Sequence, residues 1–188
     1  MHPPSHQDYH ETPAASRQRI RHLSQGFTLI ELLVVIAVAV IMATWALPNF
    51  QHMIARHEVA SEAIRIRTAL ATARHAAVSR GTTVTLCAVS QQEHTRCDYR
   101  DWSQRLIIVE GQAPGGELSN APVVSIFDGG ANLRVTFSRH RPIRHQAGGW
   151  SRGHNGTFMV CGRRGHSTAI VLSNAGRVRS ESGAHVSC

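Results

Sequence analysis

Residues 26–31 read Gly-Phe-Thr-Leu-Ile-Glu, and an almost unbroken apolar run continues from there to Leu47. About 20 apolar residues in a helix cross a bilayer, so the run is long enough to span a membrane. One acid, Glu31, lies inside it. A carboxylate at a helix centre costs roughly 2.5–3.5 kcal/mol on insertion scales. A plain anchor therefore explains the length of the segment but neither Glu31 nor the Gly-Phe junction. A secretory signal needs a small-residue cleavage site after the apolar run; Met42-Ala43-Thr44 and Ala43-Thr44-Trp45-Ala46 supply some small residues there. Arg17, Arg19, Arg21 and His22 precede the run, which suits a cytoplasmic N-terminus by the positive-inside rule.

The helical pattern does not stop at Pro48. Ile54, Val59, Ala63, Ile66, Leu70, Ala73, Ala77 and Val78 recur at three- and four-residue spacing, which predicts an amphipathic continuation. Arg56, Arg65, Arg67, Arg74 and Arg80 mostly fall off that stripe, and Gly81 suits a left-handed helix cap. The expected helix covers 27–80, with 27–47 apolar all round and 48–80 offering one apolar face to a domain. Beyond Gly81 the period shifts to strands, expected at Thr82–Val89, Leu106–Glu110, Val123–Phe127, Leu133–Phe137, Thr157–Cys161, Thr168–Leu172 and Arg177–Ser180. Gly111–Asn120 and Ser138–Gly156 read as long loops. The fold class is α+β, a long N-terminal helix packed on a mainly antiparallel sheet or small sandwich built from residues 81–188.

The junction and the apolar run resemble the class III signal of type IV prepilins and pseudopilins. The resemblance implies that residues 1–26 are a leader and that a prepilin peptidase cuts between Gly26 and Phe27 and methylates Phe27. It also implies that Glu31 pairs with the N-terminal amine of a neighbouring subunit during assembly. Pro48 fits it too, since these helices often kink just past the apolar core. The leader is long for many pilins and rich in His and Pro.

Four cysteines are present: Cys87, Cys97, Cys161 and Cys188. An even count in a chain exported to an oxidising compartment favours disulfides. Of the three connectivities, Cys87–Cys97 with Cys161–Cys188 is preferred, because each bond then joins chain-neighbouring partners. No pair has the Cys-x-x-Cys spacing of a zinc site. All twenty basic residues are Arg, and the net charge is +8. Residues 134–188 hold nine of the Arg against a single acid, Glu181. Such asymmetry points to a polyanionic partner.

The tail contains Gly176-Arg177-Val178-Arg179 after the turn-like Ser173-Asn174-Ala175. On a strand, Arg177 and Arg179 share one face roughly 6–7 Å apart, near the spacing of successive phosphates. Each guanidinium offers a planar fork to phosphate. In its N-terminal helix, its strand-rich domain and its tail from Cys161 onward, the chain resembles the FimT/GspH branch of minor pilins and pseudopilins more closely than a major pilin. FimT-type pilins of natural transformation carry a Gly-Arg-x-Arg element that contributes to DNA binding, and Gly176, Arg177 and Arg179 match it. Arg163 and Arg164 are expected to extend that surface, with Arg139, Arg141, Arg144 and Arg152 as a flank.

Each of these residues also has a plainer reading. Arg177 and Arg179 suit an edge strand, where charge discourages sheet-to-sheet pairing. The loop arginines suit solvent. Trp150 suits stacking on an unpaired base, and better suits covering the core. His140, His145, His154 and His166 share no metal-ligand spacing, and Glu93, His94, Asp98 and Asp101 read as loop polar residues. No nucleophile elbow, phosphate-binding Gly loop or paired carboxylates occur in the sequence, so no enzyme, metal or cofactor is expected.

The resulting expectation is a minor type IV pilin that binds DNA through its Arg-rich C-terminal face for uptake in transformation. The alternative is a structural tip pseudopilin of type II secretion, or a minor pilin that primes pilus assembly. Expected partners are DNA, other pilin subunits, the prepilin peptidase and the bacterial inner membrane, with the C-terminal domain periplasmic before assembly.

Overall fold

The computed structural model describes residues 26–90, 95–130, 133–182 and 188. Helix α1 runs over Leu29–Arg80 with Pro48 inside it. Its start is set by Thr28, whose Oγ1 accepts the Glu31 N–H at 3.3 Å and whose carbonyl accepts from Leu32 at 3.2 Å. Thr28 and Glu31 thus have the spacing of a capping box, and an acid in the first turn suits the positive end of the helix dipole. The helix ends where Gly81 adopts φ +63°. The Gly81 N–H reaches the Val78 carbonyl and the Thr82 N–H the Ala77 carbonyl, a Schellman closure that needs the left-handed residue.

The chain divides into two compact units, Met1–Ala43 and Thr44–Cys188. In the first, the described part of α1 is exposed on every side. The apolar stretch of α1 is long and apolar enough to cross a membrane.

In the second unit α1 buries Ala55, Val59, Glu62, Ala63, Ile66, Ala69, Leu70, Ala73, Ala76 and Ala77. This is a three- and four-residue stripe dominated by alanine, which lets the sheets approach the helix closely. One sheet comprises β1 (Val84–Val89), β2 (Cys97–Asp98), β3 (Arg105–Glu110) and β4 (Val123–Phe127) in the order β2-β1-β3-β4, with β6 (Ile143–His145) also paired to β1. The other comprises β5 (Arg134–Phe137), β7 (Gly156–Cys161), β8 (Ser167–Leu172) and β9 (Val178–Ser182) in the order β5-β7-β8-β9. All pairings are antiparallel. A single hydrophobic core joins the helix to both sheets. At its aromatic centre Trp102 packs 5.1 Å from Phe158 and 5.6 Å from Phe137, ring centre to ring centre.

Two strands fall outside the sequence expectation. β6 lies within the expected loop Ser138–Gly156, and β2 has no counterpart among the expected strands. Each is three residues or fewer, too short to carry an alternation, and each exists because β1 offers it an edge. Disulfides join Cys87 to Cys97 and Cys161 to Cys188, with Cα separations of 5.6 and 5.9 Å. The first links β1 to β2; the second fastens Cys188 to the end of β7.

Candidate nucleic-acid interface

The Gly176-Arg177-Val178-Arg179 segment forms the turn into β9 and the start of that strand. Ser173 builds the turn: its carbonyl accepts from Gly176 at 2.9 Å, and its Oγ accepts the Arg177 N–H at 3.1 Å. Gly176 is buried at φ +70°. A Cβ there would overlap the Gly149 carbonyl oxygen. The glycine of the motif is thus required by backbone conformation and by a close approach. Arg177 and Arg179 are exposed, and Val178 between them is half-buried, as strand alternation dictates. Glu181 shares the arginine face and pairs with Arg179 at 3.1 Å; both side chains are exposed, so the pair is weak.

The segment following β6 packs onto this turn. The Ser151 N–H donates to the Asn174 carbonyl at 2.9 Å, and the Gly153 N–H donates to Asn174 Oδ1 at 3.3 Å. These bonds bring Trp150 and Arg152 beside the motif. Arg141 joins the same group, donating to the Gly153 carbonyl at 3.2 Å. Arg74 of α1 passes over the space left by two missing side chains: a Cβ on Gly149 would come within 3.0 Å of its Nε, and one on Gly176 within 3.3 Å. In the sequence Arg74 falls off the apolar stripe of the helix. Its spacing from the apolar stripe gives no sign that a loop more than 70 residues away would fold against it. Among the described residues, Arg74, Arg141, Arg152 and Arg177 have no acid within ion-pair distance.

Beneath this surface His145 and Ser151 are fully buried, with Ser151 Oγ 2.8 Å from His145 Nδ1. Burial, and next the Arg74 charge, depress the His145 pKa to about 4. His154 Nδ1 donates to the Pro142 carbonyl at 2.8 Å; burial lowers its pKa, and Arg144, Arg141 and Arg139 add to the effect. Those three arginines therefore gather around one imidazole. Arg139 is exposed, whereas Arg144 is half-buried on β6 and donates to the Ala113 carbonyl at 3.4 Å.

Two expectations are corrected. Arg163 and Arg164 do not adjoin Arg177. They form the turn between β7 and β8, at the opposite end of β8 from the motif, roughly 20 Å away at 3.3 Å per strand residue. Arg164 is also occupied by Gln51 Oε1 of the helix. Trp150 does not cover the core: it is 45% exposed, and the core position is taken by Trp102 at 0%. Of the polar loop residues, Asp98 accepts the Arg100 N–H and Asp101 the Ser103 N–H, each two residues on, which are turn-stabilising bonds. Glu93, His94 and the leader up to residue 25 lie outside the described residues. Among the described residues no group of three His, Cys, Asp or Glu is placed to hold a metal ion.

Residues 62–176 match the family described as type II transport protein GspH, and residues 21–47 match the prokaryotic N-terminal methylation motif. Arg177 and Arg179 lie just past the first match. The type IV major fimbrial protein FimA of Dichelobacter nodosus is 32% identical over 156 residues, which cover 74% of this chain and 88% of that protein. The crystal structure of the type IV minor pilin FimU of Pseudomonas aeruginosa has the same fold. It aligns with a TM-score of 0.54 and 23% identity over 67% of this chain and 90% of that one. Families of this kind are structural, and their members assemble with other pilin subunits; the apolar helix and prepilin signal fit an inner-membrane anchor that precedes assembly into a pilus. The chain belongs to the GspH family, among the type IV pilins and pseudopilins.

Proposed function

We propose that this pilin captures DNA for uptake in natural transformation. One observation carries the reading. The turn before β9 and the segment 150–153 are bonded through Asn174, which gathers Arg177, Arg152 and Arg141, none of them ion-paired among the described residues. Arg177, with Arg152 on the bonded segment and Arg141 bonded to it, makes the phosphate-binding face; Arg179 joins it once its weak pair with Glu181 opens, while Arg74 lies on the helix side with Val178. Contacts of this kind go to the backbone and carry no sequence information. Arg163 and Arg164 have no part in this surface.

In this reading the apolar stretch of α1 holds the chain in the inner membrane with its C-terminal domain in the periplasm, and prepilin peptidase cuts between Gly26 and Phe27 and methylates Phe27. Glu31 then pairs with a neighbour's N-terminal amine in the filament. The competing reading is a structural tip subunit of type II secretion, favoured by the family match itself.

The deciding test is DNA binding by the full chain in non-ionic detergent, titrated at several salt concentrations. Affinity should fall with a log–log slope of about −0.7 to −0.9 per phosphate contact. The double variant Arg177→Ala, Arg179→Ala should weaken binding and lower transformation while circular dichroism stays unchanged. Equal affinity in that variant would remove the site assignment, and no binding near physiological salt would favour the structural subunit.

A further inference from the structure

Phosphate binding leaves Trp150 unused. Its ring is 45% exposed, and the Arg152 guanidinium sits 5.1 Å from the ring centre. The backbone on both sides is fixed. The Trp150 carbonyl accepts from Gln146 at 2.8 Å, the Gly149 N–H donates back to Gln146 at 2.7 Å, and Ser151 is buried against His145. The indole is thus held outward between anchored neighbours, although the core has its own tryptophan in Trp102.

A duplex turns its phosphates outward and keeps its bases stacked inside, so a flat aromatic beside phosphate-binding arginines meets no base face. A single strand offers phosphates and unpaired bases together, and base–aromatic stacking tolerates any sequence. Arg is the cation best suited to such a site, because its planar group stacks on a base as well as on an indole. The bonds of Ser151 and Gly153 to Asn174 keep this pair next to Arg177. Resting on the DNA-binding reading above, we propose that the ligand of this face is single-stranded, with an unpaired base stacked on Trp150 beside Arg152 and the flanking phosphates on Arg177 and its neighbours.

The test titrates the full chain in non-ionic detergent with a short oligothymidylate and with a duplex of equal length at one salt concentration. Both affinity and tryptophan emission are followed. The expected result is tighter binding of oligothymidylate with quenched emission. Trp150→Phe should keep most of the affinity but lose the quench, since Trp102 is buried and Trp45 lies in the apolar stretch of α1 that the detergent covers. Trp150→Ala should weaken oligothymidylate binding about tenfold and leave the duplex unaffected. Equal affinity for both ligands, or a quench that survives Trp150→Phe, overturns the single-strand inference while leaving DNA capture intact. Failure of both ligands to bind removes the two readings together.

Discussion

Gly176 and Gly149 meet so closely that the carbonyl of the second occupies the space where a side chain on the first would begin. This contact seats the turn before β9 against the segment that carries Trp150, with Arg74 lying across both glycines. Gly176→Ala should therefore act twice. An L-residue forced left-handed costs roughly 1–2 kcal/mol, and overpacking adds about 1–3 kcal/mol. The expected outcome is a lowered melting temperature together with weaker DNA binding, although every arginine remains. A variant that melts like the parent would show that the turn and loop can separate freely.

A second relationship anchors the helix. Arg65 grips Glu62 through both of its oxygens at 2.5 and 3.0 Å, and its guanidinium also donates to the carbonyls of Trp102, Gln104 and Asp128. Glu62 is 3% exposed, and Gly130 leaves the space its carboxylate fills. Removing one partner of a buried pair typically costs about 3–5 kcal/mol, because the remaining charge is stranded. Arg65→Met should destabilise on that scale in urea melts. Adding Glu62→Gln should restore part of the loss, and the double-mutant cycle measures how much.

The helix, the left-handed cap at Gly81 and seven of the nine strands among the described residues were legible in the sequence, because each is written in local periodicity or turn chemistry. The parts that escaped depend on distant segments. β6 has no alternation of its own and is held by β1. Arg65 and Arg74 both read as solvent-facing, yet each is recruited by a loop from far along the chain. Trp150 escapes because large aromatics usually belong to the core, and the sequence does not reveal that Trp102 already fills it. Arg163 and Arg164 looked close to Arg177 in sequence. One strand length separates them, since a hairpin places successive turns at opposite ends of a sheet.

Acid should weaken the domain through His145. Its pKa is about 4 in the folded protein against 6.5 when unperturbed, so the unfolded chain takes up the proton first. The stability held by the neutral imidazole is complete above pH 6.5 and is lost as the pH falls towards 4. The loss amounts to at most about 3 kcal/mol. His154, depressed for the same first reason, adds to the loss. Melting curves at several pH values should show the slope, and His145→Gln should flatten it by removing the titrating group. An unchanged slope in that variant would assign the acid sensitivity elsewhere.

The disulfide from Cys161 to Cys188 closes a loop spanning 27 positions that includes β8, the motif turn and β9. β9 is an edge strand paired only to β8, so little else resists its detachment. Closing such a loop is worth about 3–4 kcal/mol in the chain-entropy model. Cys161→Ser with Cys188→Ser should lower stability by that order. The loss should concentrate in β9, because the aromatic centre around Trp102 is untouched. Hydrogen exchange is the discriminating measurement: faster exchange confined to 178–182, with β1 and β3 still protected, is the expected result. Uniform acceleration across both sheets would mean that the bond supports the whole domain rather than the strand that presents Arg179. The motif also gives the experiment a functional reading, since a frayed β9 should weaken DNA binding even where Arg177 and its turn remain in place.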